Sequence, residues 1–126
     1  MIRKAFRMSV NEGAAGEYAR RHQPIWQELE RVLFDHGVRT YSIFIDEATN
    51  DLFGYVEVES DEQWGRIADT DTCRRWWTHM RDLMPTNADH SPVSRELVEV
   101  FHIERAGGVG RDDCAEESTE GGRDVR

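Results

Sequence analysis

The chain has 126 residues, with 25 Asp and Glu against 16 Lys and Arg and a formal net charge of -9. That length fits one domain with a modest core, and that acidity repels a phosphate backbone, so nucleic acid is not an expected partner. No run approaches the ~20 apolar residues of a membrane span, the opening Met1-Ile2-Arg3-Lys4-Ala5-Phe6 lacks the apolar segment of a secretion signal, and Cys73 and Cys114 read as reduced thiols of a cytoplasmic protein rather than metal ligands or a disulfide framework.

Residues 2–10 alternate as a strand, with Ile2, Phe6, Met8 and Val10 on one face and Lys4 interrupting it. Asn11 is a favourable N-cap, and helical spacing then runs over 12–36 through Tyr18, His22, Ile25, Trp26, Leu29, Val32 and Leu33. Gly37 is placed to end that helix in a left-handed cap. Residues 39–46 and 51–58 form two strands joined by the turn-like Glu47-Ala48-Thr49-Asn50, which predicts an antiparallel hairpin. Ser60-Asp61-Glu62-Gln63 is a capping box. The helix it opens breaks at Thr70-Asp71-Thr72 and restarts, reaching about Met84 before Pro85. Residues 85–95 read as a polar loop and 96–103 as the last strand. From Glu104 onward the chain holds five of its ten glycines and a charge of -3, leaving about -6 on the rest. With almost no large apolar side chains, residues 104–126 are expected to be a disordered acidic tail to a domain spanning 1–103.

The order strand, helix, strand, strand, helix, strand predicts a ferredoxin-like α+β (βαββαβ) fold, with two helices on one face of an antiparallel sheet. The other face is expected to carry aromatic side chains without cover from the chain itself. Packing against the same face of a second copy is the simplest remedy, so a homodimer is expected.

Histidine exchanges protons near neutral pH, its free pKa being roughly 6.5. Tyr18 and His22 are four residues apart, which places both on one helix face. A single histidine on an apolar face is ordinarily a packed side chain. Here Pro24 lies two residues on and crowds the carbonyl of Arg20, which predicts a local kink beside His22. Trp76 and Trp77 are adjacent and project about 100° apart, so one packs and the other lines a rim. Flat aromatic faces with polar edges suit the C–H surface and hydroxyls of a sugar. The pairs Arg20, Arg21 and Arg74, Arg75 read as solvated faces, with one arginine in reach of a hydroxyl. His79, His90 and His102 show no metal-ligand spacing, and no phosphate loop or nucleophile elbow is present. No cofactor and no metal are expected.

These motifs together resemble one family. Met1-Ile2-Arg3-Lys4-Ala5-Phe6, Glu17-Tyr18 with Arg20-Arg21-His22 and Pro24-Ile25-Trp26, then Thr70-Asp71, Cys73, Arg75-Trp76-Trp77, Met84-Pro85 and Ser91-Pro92-Val93-Ser94, are similar to the L-rhamnose mutarotases over about residues 1–103. The resemblance implies a dimeric ferredoxin-like protein of the cytoplasm that interconverts the α and β anomers of L-rhamnose without a cofactor. It implies His22 as the proton donor and Tyr18, Tyr41, Trp76 and Trp77 as sugar-binding residues. His22 is then expected to handle the ring-oxygen proton. Two other readings compete: a non-catalytic sugar-binding module, and a haem-type monooxygenase of similar fold, which rests on fold analogy alone.

Overall fold

The alternation of the first strand decides which side chains meet the helices. In the computed structural model, which describes residues 1–106, β1 (Ile2–Ser9) turns Ile2, Phe6 and Met8 toward the helices and Arg7 to the outside. β2 (Val38–Asp46) and β3 (Asp51–Val58) form the expected hairpin, and β4 (Arg95–Leu97) completes an antiparallel sheet of order β2-β3-β1-β4. This is the ferredoxin-like arrangement. Four rungs cross its helix-facing side: Met8–Leu52–Ile45, Phe6–Gly54–Ile43, Lys4–Val56–Tyr41 and Ile2–Val58–Val38. Central β3 supplies the most deeply buried side chains, Leu52, Val56 and Val58, as expected of a strand paired on both edges and covered by helices.

Gly54 has a specific reason to be glycine. The ring of Phe6 lies over it from the neighbouring strand, and a Cβ at position 54 would overlap that ring. The missing side chain seats an aromatic ring against the sheet.

Each of the two helical regions is divided. The expected single helix over 12–36 is two: α1 (Ala15–Arg21) and α2 (Gln27–Asp35). Pro24 has no backbone N–H and its ring excludes a helical carbonyl four residues back. The chain therefore leaves the helix at His22, whose N–H donates to the Ala19 carbonyl, and resumes after Trp26. Asn11 is not the N-cap. Its carbonyl accepts from the Ala14 N–H, its amide donates to the Asp82 carbonyl, and the cap position falls to Ala14 without a side-chain bond. Gly13, at φ +81°, forms the turn between them. Gly37, at φ +85°, ends α2 as expected.

The second region divides into α3 (Asp61–Ile67) and α4 (Asp71–Met80), followed by one 3-10 turn over Arg81–Leu83. Ser60 Oγ accepts from the Gln63 N–H at 3.1 Å. Thr70 closes one helix and opens the next, since its hydroxyl donates to the Ile67 carbonyl (2.7 Å) and accepts from the Cys73 N–H (3.2 Å).

The last strand is shorter than expected. Only Arg95–Leu97 pairs with β1, and Val98, Val100, Phe101 and Ile103 are exposed. Residues 98–103 present apolar side chains in both parities. That pattern suits a strand covered on both faces, and within one chain an edge segment has neither cover. Residues 107–126, most of the expected tail, lie outside the described residues.

Gly54→Ala is expected to destabilise the fold by ~1–3 kcal/mol, because Phe6 must leave its seat. Urea denaturation checks this, and Phe6→Leu in the same chain should recover part of the loss.

Candidate active site

The break between α1 and α2 determines how the histidine is presented. His22 sits at the last turn of α1 with its Nδ1 2.8 Å from the Tyr18 carbonyl oxygen. A carbonyl only accepts, so Nδ1 carries the hydrogen and the neutral ring keeps its lone pair on Nε2. Nε2 makes no hydrogen bond to protein among the described residues.

Aromatic rings fix the imidazole on two sides. The Tyr18 ring lies 4.5 Å away, tilted by 36°, and the Trp76 ring of α4 meets it edge-on at 5.2 Å and 84°. Trp76 is buried and is itself backed by Trp26 at 5.1 Å and His79 at 5.6 Å.

Burial sets the protonation states. It lowers the His22 pKa below the ordinary imidazole value, against a smaller opposing effect of the bond to the Tyr18 carbonyl. It raises the Tyr18 hydroxyl to about 12. Tyr41 is raised further, by burial first and then by the nearby Tyr18 and Cys73. The buried Cys73 thiol is pushed up to about 11, which leaves it protonated and unreactive near neutral pH.

These groups line a cavity of about 940 Å³ between the helices and the sheet. Tyr18, His22, Tyr41, Trp76 and Trp77, the residues singled out in the sequence, all lie on its wall. Trp76 is buried and Trp77 half-buried, which fits the divergence of adjacent helical positions. Wall residues that escaped the sequence reading include Phe6, Lys4, Trp64 and Glu96. Phe6 and Trp64 flank Tyr41 at 6.1 and 5.9 Å. Lys4 was legible only as an interruption of an apolar face.

The paired arginines take no part in the wall. Arg21 is bound to Glu17, Asp82 and the His79 carbonyl, Arg20 to Glu17, and Arg75 to Asp71 and Glu28. Arg21 nonetheless matters to the geometry, since it ties the end of α1 to the end of α4. Among the described residues, no group of three or more His, Cys, Asp or Glu side chains is placed to hold a metal ion.

The sequence profile of the L-rhamnose mutarotases matches residues 3–103. The L-rhamnose mutarotase of Enterobacter sp. (strain 638) is 60% identical over 104 residues, covering 82% of this chain and all of that protein. The chain belongs to the L-rhamnose mutarotase family. A crystal structure of the L-rhamnose mutarotase of Formosa agariphila superposes with a TM-score of 0.76 at 44% identity, covering 82% of this chain and 100% of that one. A dimeric ferredoxin-like protein from an uncultured marine organism superposes at 0.57 with 13% identity, over 82% of this chain and 97% of that one. That last likeness is one of fold alone. Within a mutarotase framework, the histidine on a broken helix faces a hollow built of rings.

His22 is expected to titrate below roughly 6.5 as the Nδ1–H tautomer, which ¹⁵N NMR of the imidazole checks. A depressed folded-state pKa means that the unfolded chain takes up the proton first as pH falls. Its stabilising contribution is therefore complete above the ordinary imidazole pKa and is lost below it. Between about pH 7 and about pH 5, the wild-type protein should lose more stability to urea than His22→Gln.

Proposed function

We propose that this chain is an isomerase that interconverts the α and β anomers of L-rhamnopyranose by acid–base-assisted opening and closure of the ring. The observation that carries the reading is His22: an imidazole with one nitrogen tied to the Tyr18 carbonyl and the other unbonded among the described residues, in the wall of an aromatic-lined cavity.

The chemistry asks little beyond such a group. Opening moves a proton from the anomeric hydroxyl to the ring oxygen as the bond from C1 to that oxygen breaks and the aldehyde forms. Both oxygens are bonded to C1, so a single nitrogen can serve both. Neutral His22 takes the hydroxyl proton on Nε2 and delivers it to the ring oxygen. The burial that lowers its pKa makes the imidazolium a willing donor. After rotation about C1–C2, the same steps in reverse close the ring on the other face of the carbonyl.

The tyrosines support the substrate class. With its pKa raised to about 12, Tyr18 stays a neutral hydroxyl that donates to a sugar oxygen, and Tyr41 is held neutral in the same way. Neither hydroxyl has a hydrogen-bond partner among the described residues, and buried polar groups ordinarily find one. A polyhydroxylated ring would complete them, with Trp76 and Trp77 covering its C–H faces and methyl group. No cofactor enters these steps.

We assign the activity to a domain over residues 1–103, a boundary that the profile match over 3–103 supports. We further infer a cytoplasmic homodimer joined through the outer sheet face. No helix among the described residues is long and apolar enough to cross a membrane. The apolar surface supports the dimer: Phe44 stands opposite Phe53 on the outer face and is 64% exposed, and Val98, Val100 and Phe101 follow at the sheet edge.

Saturation-transfer NMR on equilibrated L-rhamnose tests the activity. Added protein should speed exchange between the anomeric protons, and His22→Ala should remove ~10²–10⁴-fold of that acceleration. Binding without acceleration would favour the sugar-binding module, and a haem absorption band in the purified protein would favour the monooxygenase. Sedimentation should show a dimer that Phe44→Asp weakens; a monomer at working concentration would count against the interface.

A further inference from the structure

The rung Lys4–Val56–Tyr41 places a cation on the inner, otherwise apolar face of β1. The Lys4 ammonium donates to Asp61 Oδ1 at 2.7 Å, at the start of α3, and to Glu96 Oε2 at 3.0 Å, in β4. Its side chain is only 15% exposed, while both carboxylates are 70% exposed. An ammonium has three N–H donors and no acceptor. Two are engaged by these carboxylates and, among the described residues, the third is not. Lys4 and Glu96 both belong to the cavity wall, together with Trp64 and Tyr41. Glu96 Oε1 takes no hydrogen bond among the described residues. The wall thus offers a fixed donor and a free acceptor side by side.

A sugar hydroxyl is both acceptor and donor, and it matches such a pair. We propose that Lys4, with Glu96, is a specificity-determining site of the mutarotase cavity. The free Lys4 N–H donates to one ring hydroxyl of the sugar, and Glu96 accepts that hydroxyl's own proton. The site lies on the sheet side, apart from the acid–base group on α1, so it selects and orients the sugar without moving a proton in the reaction. The two carboxylates hold the ammonium in place and keep it charged. The inference rests on the mutarotase reading given above.

The test compares L-rhamnose with its 2-, 3- and 4-deoxy analogues by saturation-transfer NMR. The wild-type protein should favour L-rhamnose over one of these by about 10–100-fold in kcat/KM, the range expected for a charge-assisted hydrogen bond. Lys4→Met keeps the stem and removes the donor. It should raise KM for L-rhamnose by a similar factor, leave kcat within about threefold, and treat L-rhamnose and that analogue alike. A variant that loses activity equally on all four sugars, keeping the wild-type preference, would overturn the proposal and leave Lys4 as a clamp between strands and helix. If Lys4→Met does not fold, Glu96→Gln decides: a weakened preference at the same hydroxyl supports the proposal, and an unchanged one overturns it. Wild-type protein that fails to accelerate exchange of L-rhamnose would sink the mutarotase reading itself, and this inference with it.

Discussion

One hydrogen bond organises this molecule's chemistry, the donation from His22 Nδ1 to the carbonyl of Tyr18. It selects the tautomer, orients the ring and leaves the other nitrogen as the basic one. It forms where α1 ends, and α1 ends there because Pro24 cannot continue it. An unbroken helix over 12–36 would carry His22 as one more residue of a packed stripe. The interruption converts a core position into a presented one.

The hollow that receives this imidazole comes from how the sheet is covered. Among the described residues, four short α-helices lie over the inner face in place of two long ones, and aromatic side chains stand out between them. Phe6 lies over Gly54, Tyr41 and Trp64 stand against Phe6, and Trp76 is backed by Trp26. Rings are large and rigid and lose little conformational freedom on packing. They brace one another around a space without filling it. The same low-polarity wall depresses the pKa of His22 and raises those of Tyr18, Tyr41 and Cys73. One environment therefore yields a neutral base, neutral hydroxyl donors and an inert thiol.

Electrostatics divides the surface from the site. Arg20, Arg21 and Arg75 are taken up by neighbouring carboxylates, largely at exposed positions, where each pair adds little to stability. Arg21 is the exception in geometry, since its bonds to the His79 carbonyl and Asp82 join the two helix ends that carry His22 and Trp76. Lys4, by contrast, stands on the cavity wall.

The βαββαβ order, the hairpin, the left-handed Gly37, the cap at Ser60 and the helix break at Thr70-Asp71-Thr72 were all readable from residue type and spacing, because each depends on neighbours within a few positions. So were Tyr18 and His22 on one helix face and the divergence of Trp76 and Trp77. Asn11 misled because an amide side chain satisfies a turn and a distant carbonyl as well as it caps a helix. Residues 98–103 misled because strand pattern does not say whether a partner lies alongside. Phe6, Lys4 and Trp64 joined the cavity wall through strand register and helix placement, contacts between segments up to 92 positions apart along the chain. Local chemistry could name the imidazole and the rings around it. Long-range packing alone could leave a space between them, since a void is a property of what fails to meet rather than of any one residue.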